Sequence, residues 1–159
     1  MIDGAGSVRI RTSEDFWDLT DLPTRFVVLG GGPIGCELGQ AMARLGSQVT
    51  IVHRGRRILP KEDEDASRII HDALLRDGAT VRTSRTGASI SSSDGESGVL
   101  ILDDGSTIEF DVIVAALGRA PRADALGLEH AGVRTDADGY VAVHATLRTT
   151  NPGSGPPAT

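Results

Sequence analysis

The chain has 159 residues and a formal net charge of −6, and its aromatic residues are three phenylalanines, one tyrosine and one tryptophan. This length favours one domain with its own core. The negative charge argues against a nucleic-acid surface, and the aromatic residues are too few for base stacking. No apolar run approaches the roughly 20 residues of a membrane span, and no signal peptide is evident. We therefore expect a cytoplasmic protein that binds neither nucleic acid nor membrane.

The first predicted elements lead into a glycine-rich turn. Residues 1–24 are expected to form an incoming segment with one short helical turn, which Pro23 ends. Residues 25–29 contain an apolar run that is typical of a strand buried on both faces. A helix is predicted over residues 33–45, because proline is tolerated in a first helical turn and Gly46 can close the last one.

Three glycines lie where the predicted strand turns into the helix. Gly30, Gly32 and Gly35 form the pattern G-x-G-x-x-G. In this pattern the first glycine permits a tight turn, the second lets a pyrophosphate approach the backbone, and the third lets the helix pack against the strand. Since proline has no N–H, the expected donors to the phosphates are the backbone N–H groups of Ile34, Gly35 and Cys36. The segment predicts a dinucleotide-binding site.

Two further strands and one helix complete the first half of the predicted fold. Strands are expected over residues 48–52 and 79–83, with a helix over residues 64–76 between them. The order strand, helix, strand, helix, strand is half of a dinucleotide-binding fold. The apolar residues expected to face inward from the second helix are Ile69, Ile70, Ala73 and Leu74.

The pattern then changes to short strands separated by Asp-Gly turn signals. Residues 88–92, 99–102 and 106–110 predict an antiparallel meander, and the apolar run over residues 112–117 returns to the parallel sheet. The predicted fold is therefore α/β, a Rossmann-like parallel sheet with a βαβαβ unit, an inserted three-stranded antiparallel meander and a return strand. One last strand is suggested by Tyr140, Val141 and Val143.

Metal and thiol chemistry have little support in this sequence. Cys36 is the only cysteine, so it can form neither an intrachain disulfide nor a dithiol pair. Its place in the glycine turn favours the role of a small apolar residue. No metal site is predicted, because metal-ligand spacing is absent among the four histidines, which are His53, His71, His130 and His144.

Four segments together resemble the pyridine-nucleotide–disulfide oxidoreductases, the flavoprotein family of dihydrolipoamide dehydrogenase, mercuric reductase and glutathione reductase. They are GGGPIGCELG (residues 30–39), ARLGSQVTIVHRGRRILP (43–60), FDVIVAALGRAP (110–121) and GYVAVHATLRTTNPG (139–153). The resemblance implies the NAD(P)H-binding domain of such an enzyme, which presents the nicotinamide for hydride transfer to a flavin.

The resemblance also implies an organisation for the chain. Residues 25–118 would be the NAD(P)H-binding domain, residues 119–150 a remnant of the crossover to an FAD domain, and the low-complexity residues 151–159 a disordered tail. FAD is expected only in the full-length relatives, because this chain shows neither their FAD-binding glycine motif nor their redox C-x4-C. We expect an excised domain, a truncated gene product or a split subunit with a separate FAD-domain polypeptide as candidate partner. The alternative is a stand-alone nicotinamide-nucleotide-binding module or a non-catalytic remnant.

The resemblance assigns roles by position, and none of them is catalytic within this chain. Glu37 corresponds to a glutamate that pairs with a lysine near the flavin; the alternative is an ordinary acid of a first helical turn. Gly118 would lie against the nicotinamide side of the cofactor, and Thr86 would contact its adenosine half. The full set of expected cofactor contacts is Gly30, Gly31, Gly32, Pro33, Ile34, Gly35, Glu37, His53, Arg54, Arg56, Thr86 and Gly118.

The choice between NAD(H) and NADP(H) depends on the end of the second strand. NAD-preferring folds place an acid there for the ribose 2′-hydroxyl, whereas this chain has His53, followed by Arg54 and Arg56. A carboxylate would repel a 2′-phosphate, and guanidinium groups can bind one, so NADP(H) is favoured. NAD(H) stays open, because NAD-using relatives often have a glycine at the position of Gly39 and also have arginine at that of Arg57.

Overall fold

A computed structural model describes residues 2–118 and 120–154 of the protein. The chain forms two compact units, one that extends to Gly118 and one that follows it. In chain order the elements are β1 (Ile10–Arg11), β2 (Arg25–Leu29), α1 (Pro33–Leu45), β3 (Gln48–His53), α2 (Glu64–Arg76), β4 (Thr80–Thr83), β5 (Gly87–Ser91), β6 (Gly98–Leu102), β7 (Thr107–Phe110) and β8 (Val112–Ala115), with short 3-10 helices at Ala5–Ser7, Phe16–Asp18 and Asp124–Leu126.

The first unit contains the predicted parallel sheet and the predicted meander. Five parallel strands lie in the order β1-β8-β2-β3-β4, and β5, β6 and β7 form a separate antiparallel sheet. The Rossmann-like α/β fold, its βαβαβ unit, the meander and the return strand are thereby confirmed. Within the described residues, no helix is long and apolar enough to span a lipid bilayer.

The parallel sheet is buried on both faces, as the apolar sequence of β2 predicts. Phe26 and Val28 pack into one core with the two helices, and Val27 and Leu29 pack into a second core with the meander. This alternation follows from the two-residue period of a strand. The meander therefore covers the face of the sheet opposite to the helices.

The second helix matches its predicted bounds but not all of its predicted inner face. Leu74 is fully buried, whereas Ile69 is 59% exposed, so the inward placement of Ile69 was wrong. The buried position at the start of the helix belongs instead to Ser67, whose hydroxyl donates to the carbonyl oxygen of Ile58 over 2.7 Å. This bond holds the loop after β3 against α2.

The incoming segment contributes more structure than the sequence indicated. Strand β1 pairs in parallel with the return strand β8 and forms an edge of the sheet. The backbone of Asp3 also exchanges hydrogen bonds with Ala88 and Ile90 of β5. A two-residue strand is too short to show a periodic pattern, which explains why β1 was not predicted. Residues 2–24 are part of the first compact unit.

The second unit differs from its prediction in two places. The last strand expected around Tyr140 is reduced to a single bridge between Thr135 and Val141. The first residues of the expected disordered tail form a hydrogen-bonded turn, in which the N–H of Ser154 donates to the carbonyl oxygen of Asn151. Arg119, at the start of the predicted crossover, and residues 155–159 of the predicted tail lie outside the described residues.

Candidate functional site

The carboxyl ends of the parallel strands bring the predicted site segments to one edge of the sheet. The glycine turn follows β2, the arginine-containing loop follows β3, residues 84–86 follow β4, and residues 116–118 follow β8. Strand β2 lies between β3 and β8. The chain continues from β2 to β3 and β4 on one side of β2, whereas the later strand β8 lies on the other side, so the strand order reverses at β2. Open α/β sheets bind their ligands in the crevice outside the strand ends at such a switch point.

Two of the three motif glycines are required by the fold itself. Gly30 has a φ of 115°, and a Cβ there would lie 2.3 Å from the carbonyl oxygen of Ala116 after β8. A Cβ on Gly35 would lie 2.0 Å from the carbonyl oxygen of Gly30. These contacts place the start of α1 directly against the end of β2, so any larger residue would push the two elements apart.

The stability of the protein should depend on this close approach. We expect Gly35→Ala to lower the free energy of unfolding by about 1–3 kcal/mol, because a backbone carbonyl cannot yield to the added methyl group. Gly6→Ala is the matched control, since a Cβ on Gly6 meets nothing within 4 Å. Urea denaturation of both variants measures the effect. An unchanged midpoint for Gly35→Ala would contradict the packing described here.

Gly32 is different, because nothing in the described structure requires a glycine at this position. Its φ is −80° and its ψ −178°, an extended conformation that any residue adopts. A Cβ there would meet no heavy atom within 4 Å. The residue forms the N-cap of α1 and faces open space above the turn. The absence of a side chain leaves the backbone accessible to a ligand, as the sequence pattern predicted for a pyrophosphate.

The backbone donors of the turn differ in one residue from the expected set. The N–H of Cys36 already donates to the carbonyl oxygen of Gly32 over 3.0 Å, so it is not available to a ligand. Pro33 has no N–H and occupies the first helical position. Throughout the described part of the chain, no acceptor is found for the N–H groups of Gly32, Ile34 and Gly35. These three donors lie at the positive end of the α1 dipole, where a negative charge is favoured.

The side chain of Cys36 points away from this chemistry. It is buried and lies 3.7 Å from the carbonyl oxygen of Gly31, to which its thiol donates. Burial, together with the negative charge of Glu37, raises the pKa of Cys36 to about 11. The thiol therefore stays protonated at neutral pH, in agreement with the role of a small apolar residue.

His53 is directed at the glycine turn rather than outward. Its Nδ1 accepts a hydrogen bond from the N–H of Gly31 over 3.1 Å. Its Nε2 is buried and has no hydrogen-bond partner among the described residues. Burial lowers the pKa of His53. The backbone carbonyl of Arg57 opposes this effect and the positive charge of Arg54 adds to it, so that the net shift of the pKa is downward. The ring is thus neutral, and neither nitrogen is presented to a ligand.

The three arginines of the following loop are not equivalent. The guanidinium of Arg57 donates to the carbonyl oxygens of Leu59, Pro60 and Glu62 and so fixes the loop to itself. The side chains of Arg54 and Arg56 are exposed, and among the described residues neither has a hydrogen bond or an ion pair. Two guanidinium groups are therefore free to bind an anion beside the carboxyl edge.

The segment after β4 supports this loop in a way that the sequence did not indicate. The N–H of Ser84 donates to the carbonyl oxygen of Gly55 over 2.8 Å, and that of Arg85 to the carbonyl oxygen of His53 over 3.1 Å. The carbonyl oxygen of Thr86, the predicted adenosine contact, accepts the N–H of Asp103 in the meander, and the N–H of Thr86 donates to Oδ1 of Asp103 over 3.3 Å. The only unusual feature of the segment is the positive φ of 53° at Ser84, which sequence patterns do not reveal.

Two further predicted residues, Gly118 and Glu37, follow the ends of β8 and β2 in the chain. Gly118 has a φ of 127°, which favours glycine, and a Cβ there would meet nothing within 4 Å. Glu37 is exposed on α1 but lies beyond its first turn, which contains no acidic residue, and its carboxylate has no partner in the described part of the chain. Among the described residues no group of histidine, cysteine and carboxylate side chains is arranged to hold a metal ion.

Comparison with known proteins agrees with the fold. The structure matches the HOCl-induced flavoprotein disulfide reductase RclA from Escherichia coli with a TM-score of 0.80 at 29% identity, over 94% of this chain and 34% of that one. It matches LpdA from Mycobacterium tuberculosis with a TM-score of 0.76 at 30% identity, over 91% of this chain and 31% of that one. The fold is that of the Rossmann-like flavoprotein oxidoreductases.

Sequence comparison gives the family. The profile of the pyridine nucleotide-disulphide oxidoreductases matches residues 2–153. Dihydrolipoyl dehydrogenase of Thermus scotoductus is 38% identical over 151 residues, which cover 88% of this chain and 33% of that protein. Mercuric reductase of Staphylococcus aureus is 33% identical over 152 residues, which cover 94% of this chain and 28% of that protein. The chain belongs to the pyridine nucleotide-disulphide oxidoreductase family and spans about a third of the length of such relatives.

Proposed function

We propose that this chain binds a nicotinamide dinucleotide at the carboxyl edge of its parallel sheet and presents the nicotinamide to a flavin held outside the described residues. The observation that carries the proposal is the open glycine turn. Gly32 leaves the backbone accessible, although the fold itself does not require a glycine at this position. The N–H groups of Gly32, Ile34 and Gly35 have no acceptor among the described residues. Donors of this kind at a helix N-terminus bind phosphates.

Each part of the edge has a role in this proposal. The three free N–H groups hold the pyrophosphate, and the loop after β3 receives the adenosine half. Residues 116–118, on the opposite side of the switch point, face the nicotinamide half, where Gly118 offers an open backbone. The bound nicotinamide supplies the hydride for the flavin. The residues of this chain bind and orient the dinucleotide.

Arg54 and Arg56 favour NADP(H) as the dinucleotide. Members of the family depend on FAD and NAD(P)H, and of these dinucleotides only NADP(H) carries a 2′-phosphate. The carboxylate that would select a ribose 2′-hydroxyl is absent at His53, whose nitrogens both face the protein. Two unpaired guanidinium groups beside this position match a phosphate instead.

One sequence feature that left NAD(H) open has a separate structural explanation. A Cβ on Gly39 would lie 2.8 Å from Cδ1 of Ile51, so this glycine lets α1 pack against β3. It is also buried within the helix, away from the carboxyl edge. Gly39 therefore carries no information about the 2′ position of the cofactor.

Calorimetric titration of the 159-residue chain with NADPH, NADH and FAD tests the proposal. A charge-assisted hydrogen bond contributes about 1.5–3 kcal/mol, which corresponds to a preference of roughly 10- to 150-fold for NADPH over NADH. We expect no binding of FAD. Equal affinity for NADPH and NADH would overturn the selectivity, and binding of FAD in place of both nicotinamide nucleotides would overturn the proposed function.

A further inference from the structure

We propose that His53 is a positioning residue that sets the selectivity between a 2′-phosphate and a 2′-hydroxyl, although it contacts neither. The inference rests on the proposed function of the glycine turn and the arginine-containing loop. The loop that carries Arg54 and Arg56 forms a hydrogen bond to the backbone of Gly31 at each of its two ends. We call this arrangement, formed by Gly31, His53 and Leu59, the Gly31 clasp.

The Gly31 clasp consists of two hydrogen bonds to one residue. The N–H of Gly31 donates to Nδ1 of His53 over 3.1 Å, and the carbonyl oxygen of Gly31 accepts the N–H of Leu59 over 2.7 Å. His53 precedes the two free arginines and Leu59 follows them. The loop between these bonds therefore begins and ends on the backbone of the glycine turn.

Packing around the clasp leaves no room for adjustment. A Cβ on Gly31 would lie 2.7 Å from Cγ2 of Ile58 and 3.0 Å from Cγ of His53. Ile58 is fully buried, and its carbonyl oxygen is held by the hydroxyl of Ser67. Leu59 adopts a positive φ of 47°, which is unfavourable for a leucine and is maintained here by its bond to Gly31.

The chemistry of the histidine ring suits this role. Nδ1 can accept from Gly31 only while it carries no proton, and burial disfavours the charged imidazolium. The neutral ring also avoids adding a positive charge beside Arg54. A charged side chain at position 53 would place its charge against the glycine turn. Because His53 is neutral, the positive charge after β3 comes from the two exposed arginines.

Selectivity, rather than overall affinity, should depend on this clasp. The pyrophosphate is common to NADH and NADPH and meets the free N–H groups of the turn, which lie at the start of α1. The 2′-phosphate is present only in NADPH and meets the arginines, whose loop is bound to the turn through His53 and Leu59. Loss of the His53 bond should therefore weaken NADPH binding more than NADH binding.

Two variants separate positioning from a general structural effect. His53→Leu removes the acceptor at similar volume, and His53→Asn keeps an acceptor oxygen near the place of Nδ1. We expect His53→Leu to reduce NADPH affinity by roughly 2- to 10-fold, as for the loss of one hydrogen bond, with NADH affinity changed less than about 2-fold, and His53→Asn to restore the NADPH affinity. His130→Leu, an exposed histidine in the second unit, is the control.

A second measurement tests the clasp without any cofactor. In hydrogen exchange, the amide of Gly31 should be protected in the wild type and in His53→Asn but exchange faster in His53→Leu. An unchanged Gly31 amide in His53→Leu would overturn the clasp, and equal losses of NADPH and NADH affinity would overturn its role in selectivity. A wild type that binds neither nucleotide but shows a His53-dependent Gly31 amide would instead contradict the proposed function alone.

Discussion

Replacing Gly32 with valine is expected to weaken NADPH binding by roughly 5- to 150-fold with little change in the melting temperature. The valine side chain would occupy the space that the fold leaves empty above the turn, where the pyrophosphate must approach. A steric cost of about 1–3 kcal/mol for added methyl groups gives this range of affinity. The extended backbone of Gly32 accepts a β-branched residue, so the protein itself should remain folded.

The control for this prediction is Gly6→Val. A Cβ on Gly6, like one on Gly32, meets nothing within 4 Å. Gly6 belongs to the 3-10 helix Ala5–Ser7, which precedes β1 and is not one of the loops that follow the parallel strands at the carboxyl edge. Calorimetric titration with NADPH and thermal unfolding should be run on both variants. If Gly32→Val bound NADPH as tightly as Gly6→Val, the dinucleotide could not lie over the glycine turn.

Reversing the charge of both free arginines is the second change with a large expected effect. In the double variant Arg54→Glu/Arg56→Glu, we expect NADPH affinity to fall by on the order of 100-fold, because two charge-assisted hydrogen bonds are replaced by repulsion between carboxylates and the 2′-phosphate. NADH affinity should fall much less, since its 2′-hydroxyl is neutral. The preference for NADPH would then disappear or reverse.

Two other arginines provide the controls for this experiment. Arg76→Glu makes a single charge reversal in the last turn of α2, at the opposite end of the sheet from the site, and should leave both affinities close to the wild type. Arg57→Gln removes the donors to three backbone carbonyls and should lower the melting temperature. A double variant that retains the NADPH preference would show that Arg54 and Arg56 are only solvated.

The sequence was sufficient for the bounds of the main elements because glycine and proline mark them. Helix α1 begins at Pro33 and ends before Gly46, and the Asp-Gly turns separate the strands of the meander, as the pattern predicted. Failures occurred where no such residue or periodicity exists. The two-residue strand β1 carries no pattern, and an apolar pattern does not mark the polar residue Ser67, which is buried on α2 while Ile69 is exposed.

The places of the candidate residues in the fold were predictable, but their side-chain geometry was not. Spacing alone placed His53 and the arginines after β3, at the carboxyl edge. It could not show that the ring of His53 turns inward to Gly31, or that Arg57 is bound to carbonyls of its own loop while Arg54 remains free. The His53 contact joins two segments that are distant in sequence, and the Arg57 bonds depend on the folded conformation of its own loop, which spacing does not specify.

The most direct test of the account is an NMR titration of the isotope-labelled chain with NADPH. We expect the largest amide shift changes at Gly32, Ile34 and Gly35, whose N–H groups have no acceptor in the described structure. The amide of Cys36 keeps its bond to Gly32 and should change less. Binding that shifts amides elsewhere and leaves these three unchanged would contradict the assignment of the glycine turn as the dinucleotide site.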